Sequence, residues 1–262
     1  MDSVQCYIIQ GIPLIGEGDD LASIIEERFL LEDGDVISVA STAVAKSEGR
    51  MRCLDDYQPG DRAFAIAARL GRDPRFVQAV IEESEEILLD FPFLLVVTRF
   101  GHICVNAGID MSNVGGSSLC GERILLLPDD PCKSARKLRS RLRKDCAVII
   151  TDTCGRPFRC GVAGVAIGWA GIAALRDWRG ELDLLGRELQ ITQESIIDEI
   201  AGMANLLMGE GDGGTPAVVF RGLGYPRRGG ELFRARDKDV IRERLRGRAL
   251  VSRSDRMDYP EI

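Results

Sequence analysis

Three apolar runs in this chain end in side chains of the kinds that do chemistry. Val36–Ala40 leads into Ser41-Thr42, then Lys46, Ser47, Glu48, Gly49 and Arg50. Ile103–Val105 leads into Asn106-Ala107-Gly108-Ile109-Asp110, then Asn113, and residues 147–151 lead into Asp152-Thr153. Short apolar runs read as buried strands, and strand ends are where mixed folds gather polar groups on a rigid frame. Asp152-Thr153 sets a hard carboxylate beside a hydroxyl, the donor chemistry of a Mg²⁺ or Mn²⁺ site. Each segment alone is equally an ordinary turn or helix start, which Asp, Asn and Ser favour.

The sharpest local feature is Gly209-Glu210-Gly211-Asp212-Gly213-Gly214. It matches G-x-G-x-x-G in letters, but a dinucleotide fingerprint needs a strand before it and a helix after it. Here an amphipathic helical pattern precedes (Ile196, Ile197, Ile200, Met203, Ala204, Leu207) and an apolar run, Ala217–Arg221, follows. The Rossmann reading fails, and no G-x-x-x-x-G-K-[ST] is present. A glycine loop with two carboxylates can offer N–H groups to phosphate and oxygens to a cation between them. The alternative is a helix C-cap followed by a turn.

Composition narrows the chemistry. The 262 residues hold 34 Lys+Arg and 41 Asp+Glu, a net charge of -7, so the basic footprint of a nucleic-acid binder is missing. His102 is the sole histidine, which excludes HExxH and His-cluster metal sites and points any metal toward oxygen ligands. None of the eight cysteines is spaced C-x₂-C, and no apolar leader opens the chain; this reads as reduced thiols in a cytoplasmic protein. Cys154 and Cys160 are metal-binding or incidental. Arg136, Lys137, Arg139, Arg141, Arg143 and Lys144 form either a solvated helix face or a phosphate site. Arg156 and Arg159 either bind an anion or pair with acidic neighbours.

These groups need elements to position them. Asp20 before Leu21, Ile24, Ile25 and Phe29 predicts a capped helix, and Asp73-Pro74 opens a second running toward Ile87 and Leu88. Ser134 opens the basic helix, and Thr192 opens the one before the glycine loop. Residues 93–98 and Ile103–Val105 flank Phe100-Gly101 as a hairpin. The glycine-rich apolar stretch 161–175 is too short to span a bilayer and suits close packing against a sheet or a second subunit. Strands and helices mix without strict alternation, predicting an α+β fold with a mixed sheet, flanking helices and two intertwined lobes. Residues 1–225 form the catalytic region; residues 226–262 form a polar C-terminal segment with a short helix near 239–245 and a mobile tail.

In combination the motifs resemble one family. The carriers are Gly11-Ile12-Pro13-Leu14-Ile15 with Glu17-Gly18-Asp19-Asp20-Leu21, and Ser41-Thr42 with Lys46 and Glu48-Gly49-Arg50. They continue with Asn106–Asp110 and Asn113, then Ile150-Thr151-Asp152-Thr153 with Gly155-Arg156, then Ala204-Asn205-Leu206-Leu207-Met208-Gly209-Glu210-Gly211. Collinear over residues 11–222, they resemble the coenzyme F420-0:L-glutamate ligase family.

The resemblance implies a homodimeric enzyme that adds L-glutamate to F420-0, and further glutamates by γ-linkage, using GTP and an acyl phosphate. It implies nucleotide contacts at Pro13, Leu14, Ile15, Gly16, Ser41, Thr42, Lys46 and Asn113, and along Met208, Gly209, Glu210, Gly211, Asp212, Gly213, Gly214 and Thr215. It implies one divalent metal (Mn²⁺ or Mg²⁺) on Asp110 and Asp152, a second on Thr153 and Glu210, and K⁺ as a further cofactor. Lys46, Asp110 and Asp152 would be catalytic. Gly16 stands where relatives carry a basic residue, Cys154 where Asn is common, and Asp212-Gly213-Gly214 departs from the usual Gly-Asp-Gly. The partners implied are small molecules, with no nucleic acid and no membrane. Rival readings are a metal-dependent ligase on another carboxylate, a non-catalytic GTP sensor, and a metal-dependent phosphatase.

Overall fold

The computed structural model describes residues 3–112, 114, 121–227 and 229–248. The chain opens with strand β1 (Gln5–Ile8), helix α1 (Leu21–Arg28) and strand β2 (Val36–Ala40), which runs directly into helix α2 (Ser41–Ser47). It then leaves for a second lobe made of β3 (Met51–Cys53), α3 (Asp61–Leu70), α4 (Pro74–Glu82), β4 (Ser84–Leu89), β5 (Leu95–Thr98), β6 (Ile103–Val105) and β7 (Arg123–Leu125). It returns through α5 (Pro131–Arg141) and the long strands β8 (Ala147–Arg156) and β9 (Arg159–Ala170). Short strands β10 (Arg176–Asp177) and β11 (Gln193–Glu194), then α6 (Ile196–Met208), β12 (Ala217–Arg221) and α7 (Val240–Arg248), complete it. This is an α+β fold.

The principal sheet has the order β1-β12-β2-β8-β9. Only β2 and β8 are parallel; the other neighbours are antiparallel, so the sheet is mixed. Its central strands alternate between two cores. Ile37, Val39, Val148 and Ile150 pack with α1, α2 and α5 on one face, while Val36, Ala147 and Ile149 pack with α6 on the other. Coverage of both faces explains why β2, apart from Ser38, and the start of β8 read as apolar runs. A third core, with Leu54, Ile66, Val77, Val80, Leu94, Val96 and Ile124, holds the second lobe.

Glycine permits the closest contacts on β9. A Cβ at Gly164 would collide with the Ala201 carbonyl of α6, and one at Gly168 with the backbone of Pro131 in α5. The glycine-rich stretch therefore serves helix-on-sheet packing from both sides.

Helix starts follow capping chemistry. The Asp20 carboxylate accepts from the Ala22 N–H and Asp73 from the Arg75 N–H, with Pro74 in the first turn. Four boundaries differ from expectation. The helix expected to open at Thr192 starts at Ile196, because Gln193 and Glu194 pair with β10 as β11. The helix after Asp73 ends at Glu82, and Ile87 and Leu88 belong to β4, where pairing with β5 outweighs continuation of the apolar stripe. The basic helix starts at Pro131 under Asp130, not at Ser134, whose hydroxyl bonds back to the Asp130 carbonyl. Asp152-Thr153 lies within β8 rather than after it, because pairing with β9 carries the strand on to Arg156.

Cys53 is disulfide-bonded, so the expectation of reduced thiols does not hold throughout; Cys6, Cys104, Cys132, Cys146, Cys154 and Cys160 are free. Beyond residue 225, Leu232 packs against the α6 core, and the Arg242 guanidinium donates to Glu86 at 2.6 Å. The tail from residue 249 lies outside the described residues. Among the described residues no helix is long and apolar enough to cross a membrane.

Candidate functional site

A cavity of about 520 Å³ opens where β2 passes into α2, beside the outer half of β8 and the loop after α6. Ser41, Thr42 and Lys46 come from α2, one turn apart on a helix that no side chain caps. Asp152 and Thr153 come from β8, whose ladder to Val165 and Gly164 fixes their height above the sheet. The glycine loop closes the far side. Its ends are pinned where the Thr215 hydroxyl donates to the Met208 carbonyl at 3.2 Å, and the Gly209 N–H ends α6 on the Asn205 carbonyl. Loop and cap readings thus coincide: Gly209 is the C-cap of α6 and also lines the cavity.

Asp110 arrives from the second lobe. Before it, Asn106, Ala107 and Gly108 all have positive φ (54°, 56° and 67°), a conformation that costs a buried alanine about 1–3 kcal/mol. The turn reverses the chain so that Asp110 and Leu125 exchange backbone hydrogen bonds of 3.0 and 2.8 Å. Ser112 then orients the carboxylate, with its N–H donating to Oδ1 (2.7 Å) and its hydroxyl to Oδ2 (2.9 Å).

The electrostatics are those of crowded carboxylates. Burial pushes the Asp152 carboxyl up to about 6, and the negative charges of Asp110 and Glu210 add to the effect. The Ser41 hydroxyl, donating to Asp152 at 3.0 Å, and the Thr153 N–H oppose it. Among the described residues no three His, Cys, Asp or Glu side chains stand close enough to hold a metal ion as they are. The donor set nevertheless fits a hard cation in kind: carboxylates of Asp110, Asp152 and Glu210 with the Thr153 hydroxyl, in a field that positive charge would relieve.

Most of the expected residues share this cavity. Pro13, Leu14, Ile15, Ser41, Thr42, Lys46, Asp110, Asp152, Thr153, Met208, Gly209, Glu210, Gly211, Asp212, Gly214 and Thr215 all line it. Gly16 lines an adjoining cavity instead, Gly213 is not on the wall, and Asn113 lies outside the described residues. Arg156 and Arg159 sit at the exposed tip of the β8–β9 hairpin, away from the cavity. The basic face of α5 is away from it too, with Arg139 paired to Asp145 and Arg141 to Asp20.

A family model described as F420-0:Gamma-glutamyl ligase matches residues 11–222. The chain belongs to this family. Curated relatives named "Coenzyme F420:L-glutamate ligase" include one from Archaeoglobus fulgidus, 55% identical over 249 residues, covering 93% of this chain and 98% of the relative. Another, from Natronomonas pharaonis, is 54% identical over 251 residues (93% and 96%), and one from Methanosarcina mazei is 49% identical over 250 (92% and 96%).

The stretch matched to the F420-0:Gamma-glutamyl ligase model includes every residue lining the cavity, from Ile12 to Pro216. Ser112 was missed by sequence reasoning, although its position two residues after Asp110 is the spacing of an Asx turn. Asn205 lines the cavity from one turn before the end of α6; only its place in a motif marked it.

Proposed function

We propose that this protein is a GTP- and divalent-metal-dependent ligase that joins L-glutamate to coenzyme F420-0 and adds further glutamates by γ-linkage. The carrying observation is the meeting of Asp110, Asp152, Thr153 and Glu210 with Lys46 in one cavity closed by a glycine loop. The names of the family and of its relatives supply the substrates.

In this reading the acceptor carboxylate attacks the γ-phosphorus and GDP leaves, giving an acyl phosphate. The glutamate amine then attacks the acyl carbon, inorganic phosphate leaves, and the amine gives up a proton. Phosphoryl transfer is governed by positioning and charge neutralisation. The Lys46 ammonium faces the phosphates; the Ser41 and Thr42 hydroxyls and the backbone of the glycine loop orient them. Leu14, 99% exposed at the rim, offers an apolar surface for the base. Divalent cations held by Asp110 and Asp152, and by Thr153 and Glu210, would supply Lewis-acid charge at the transferring group.

The same reading takes the chain as a homodimer. The excursion between β10 and β11 exposes Leu182, Leu184, Leu185 and Ile191 at 67%, 106%, 81% and 87%, apolar side chains suited to burial against a second protomer. Light scattering behind size exclusion is expected to give twice 28.7 kDa, and Leu185→Asp to shift the protein toward monomer.

The decisive experiment is mass spectrometry of F420-0 incubated with protein, L-glutamate, GTP and Mn²⁺, with GTP and glutamate omitted in turn and K⁺ varied. Product heavier by glutamyl residues, dependent on both GTP and glutamate, is expected. Phosphate release without glutamate would favour a phosphatase. GTP binding with no turnover would favour a sensor.

A further inference from the structure

A second cavity, about 350 Å³, adjoins the first and shares Ile15 and Lys46 with it. It is built where the β3–β7 ribbon faces the segment before α1. Its charged lining is Lys46, Arg52 and Arg123 with Glu17 and Asp56. From these residues we infer that this cavity binds the incoming dicarboxylic amino acid, a step that rests on the ligase reading above.

Two half-buried arginines carry the argument. Arg52 and Arg123 form no ion pair among the described residues, whereas Arg50, Arg69, Arg75, Arg221 and Arg242 are all paired with carboxylates. Arg52 spends only Nη1 on protein, donating to the Gly49 and Met51 carbonyls at 2.8 Å each. Arg123 donates to the Met51 sulfur at 3.5 Å, a weak acceptor. Guanidinium forks left without a carboxylate partner among the described residues are suited, in a cavity, to ligand carboxylates, which they bind bidentately.

The two acidic residues select among carboxylate ligands. Glu17 and Asp56 are exposed on the same wall and would repel a ligand that is anionic throughout. They would pair with an ammonium. Glutamate carries two carboxylates and one ammonium, which complements three cations and two carboxylates. Ile15 and Lys46, common to both cavities, set this one beside the phosphoryl-transfer end.

The test is calorimetric titration of L-glutamate into full-length protein loaded with Mn²⁺ and a non-hydrolysable GTP analogue, for wild type, Arg52→Gln, Arg123→Gln and Arg52→Lys. Each Gln variant is expected to raise the glutamate Kd about tenfold or more, as loss of a charged hydrogen bond does, and the KM for glutamate with it. Affinities for the GTP analogue and F420-0 should stay within about twofold, and Arg52→Lys should recover part of the loss. Wild type should prefer L-glutamate to L-glutamine, and the variant that loses the side-chain contact should lose that preference. Unchanged glutamate affinity in the folded variants, or a fall in affinity for the GTP analogue instead, would overturn the inference. A fall in F420-0 affinity alone would overturn it too and assign the cavity to the acceptor. Arginine-dependent glutamate binding by a wild type that makes no glutamylated product would sink the ligase reading and leave this one standing.

Discussion

The two cavities touch at Ile15 and Lys46, yet their walls carry opposite charge. Among the described residues the larger sets Asp110, Asp152, Glu210 and Asp212 against the ammonium of Lys46; the smaller sets three cations against two carboxylates. An acidic wall can accept phosphates only with cations between, whereas a basic wall accepts carboxylates directly. The contrast gives one molecule two kinds of anion selectivity a few residues apart. The divider is built from Ile15 and from α2 with the turn after it, so both cavities depend on the same short stretch of backbone.

Asp152→Asn tests the acidic wall most severely. The side chain sits at the cavity rather than in a core, so the fold should survive, with a melting temperature at neutral pH no lower than wild type because a carboxylate disfavoured by burial and like charge is removed. Ligase turnover should fall at least about 100-fold, because a carboxylate that holds a cation supplies several kcal/mol of charge stabilisation. Mn²⁺ titration followed by electron paramagnetic resonance should show weakened binding. Normal turnover would remove Asp152 from the metal site.

Lys46→Ala strikes the boundary itself. Removing the ammonium that both cavities share should lower kcat/KM for GTP by about 10–100-fold, the scale of one lost charged contact to a reacting phosphate. It should raise the KM for glutamate by a smaller factor. An effect confined to glutamate would place Lys46 wholly on the basic side.

Much of the acidic wall was legible in the sequence and little of the basic one. Asp152-Thr153 and Glu210 sit in local patterns, the end of an apolar run and a glycine loop, so their types and neighbours announce them. The β2 and β12 strands lie where the apolar runs put them, and Asp20 and Asp73 cap the helices that their spacing implies. Arg52 and Arg123 lie in strands of three residues, too short to show a period, and 71 positions apart in a chain with 34 basic residues. Only the Arg52–Ile124 and Cys53–Arg123 register of that ribbon joins them, and nothing local encodes it. The start of α2 was hidden for a different reason: the helix has no side-chain cap, so the apolar run of β2 passes into it without a signal.

Gly49 is a milder probe of the divider. Its φ of +66° requires a left-handed turn, and a Cβ there would lie 2.6 Å from the Glu17 carboxylate. Gly49→Ala should cost about 1 kcal/mol in stability from the backbone alone. The flexible Glu17 side chain can move away, which alters the basic cavity and not the acidic one. A rise in KM for glutamate with KM for GTP unchanged is the expected split; equal rises would show that the two walls move as one.

His102 belongs to neither wall and separates their pH dependence from that of the fold. It is 7% exposed among Phe100 and Phe233, its Nε2 has no hydrogen-bond partner among the described residues, and burial lowers its pKa to about 4, against a weak pull upward from Asp198. A base depressed on folding contributes stability fully present above its ordinary value near 6.5 and lost as pH falls toward 4. His102→Phe should remove that loss, on the order of 3 kcal/mol at the acid end, and urea titrations at pH 4 and 7 would show it. Asp152 runs the other way at the ligand level. Its carboxyl, raised to about 6, must be ionised to hold a cation, so metal affinity should fall as pH drops through 6. Because His102 is the sole histidine, the variant should keep that fall intact while losing the acid destabilisation. If His102→Phe abolished the pH dependence of Mn²⁺ binding, the carboxylate wall would not be its source.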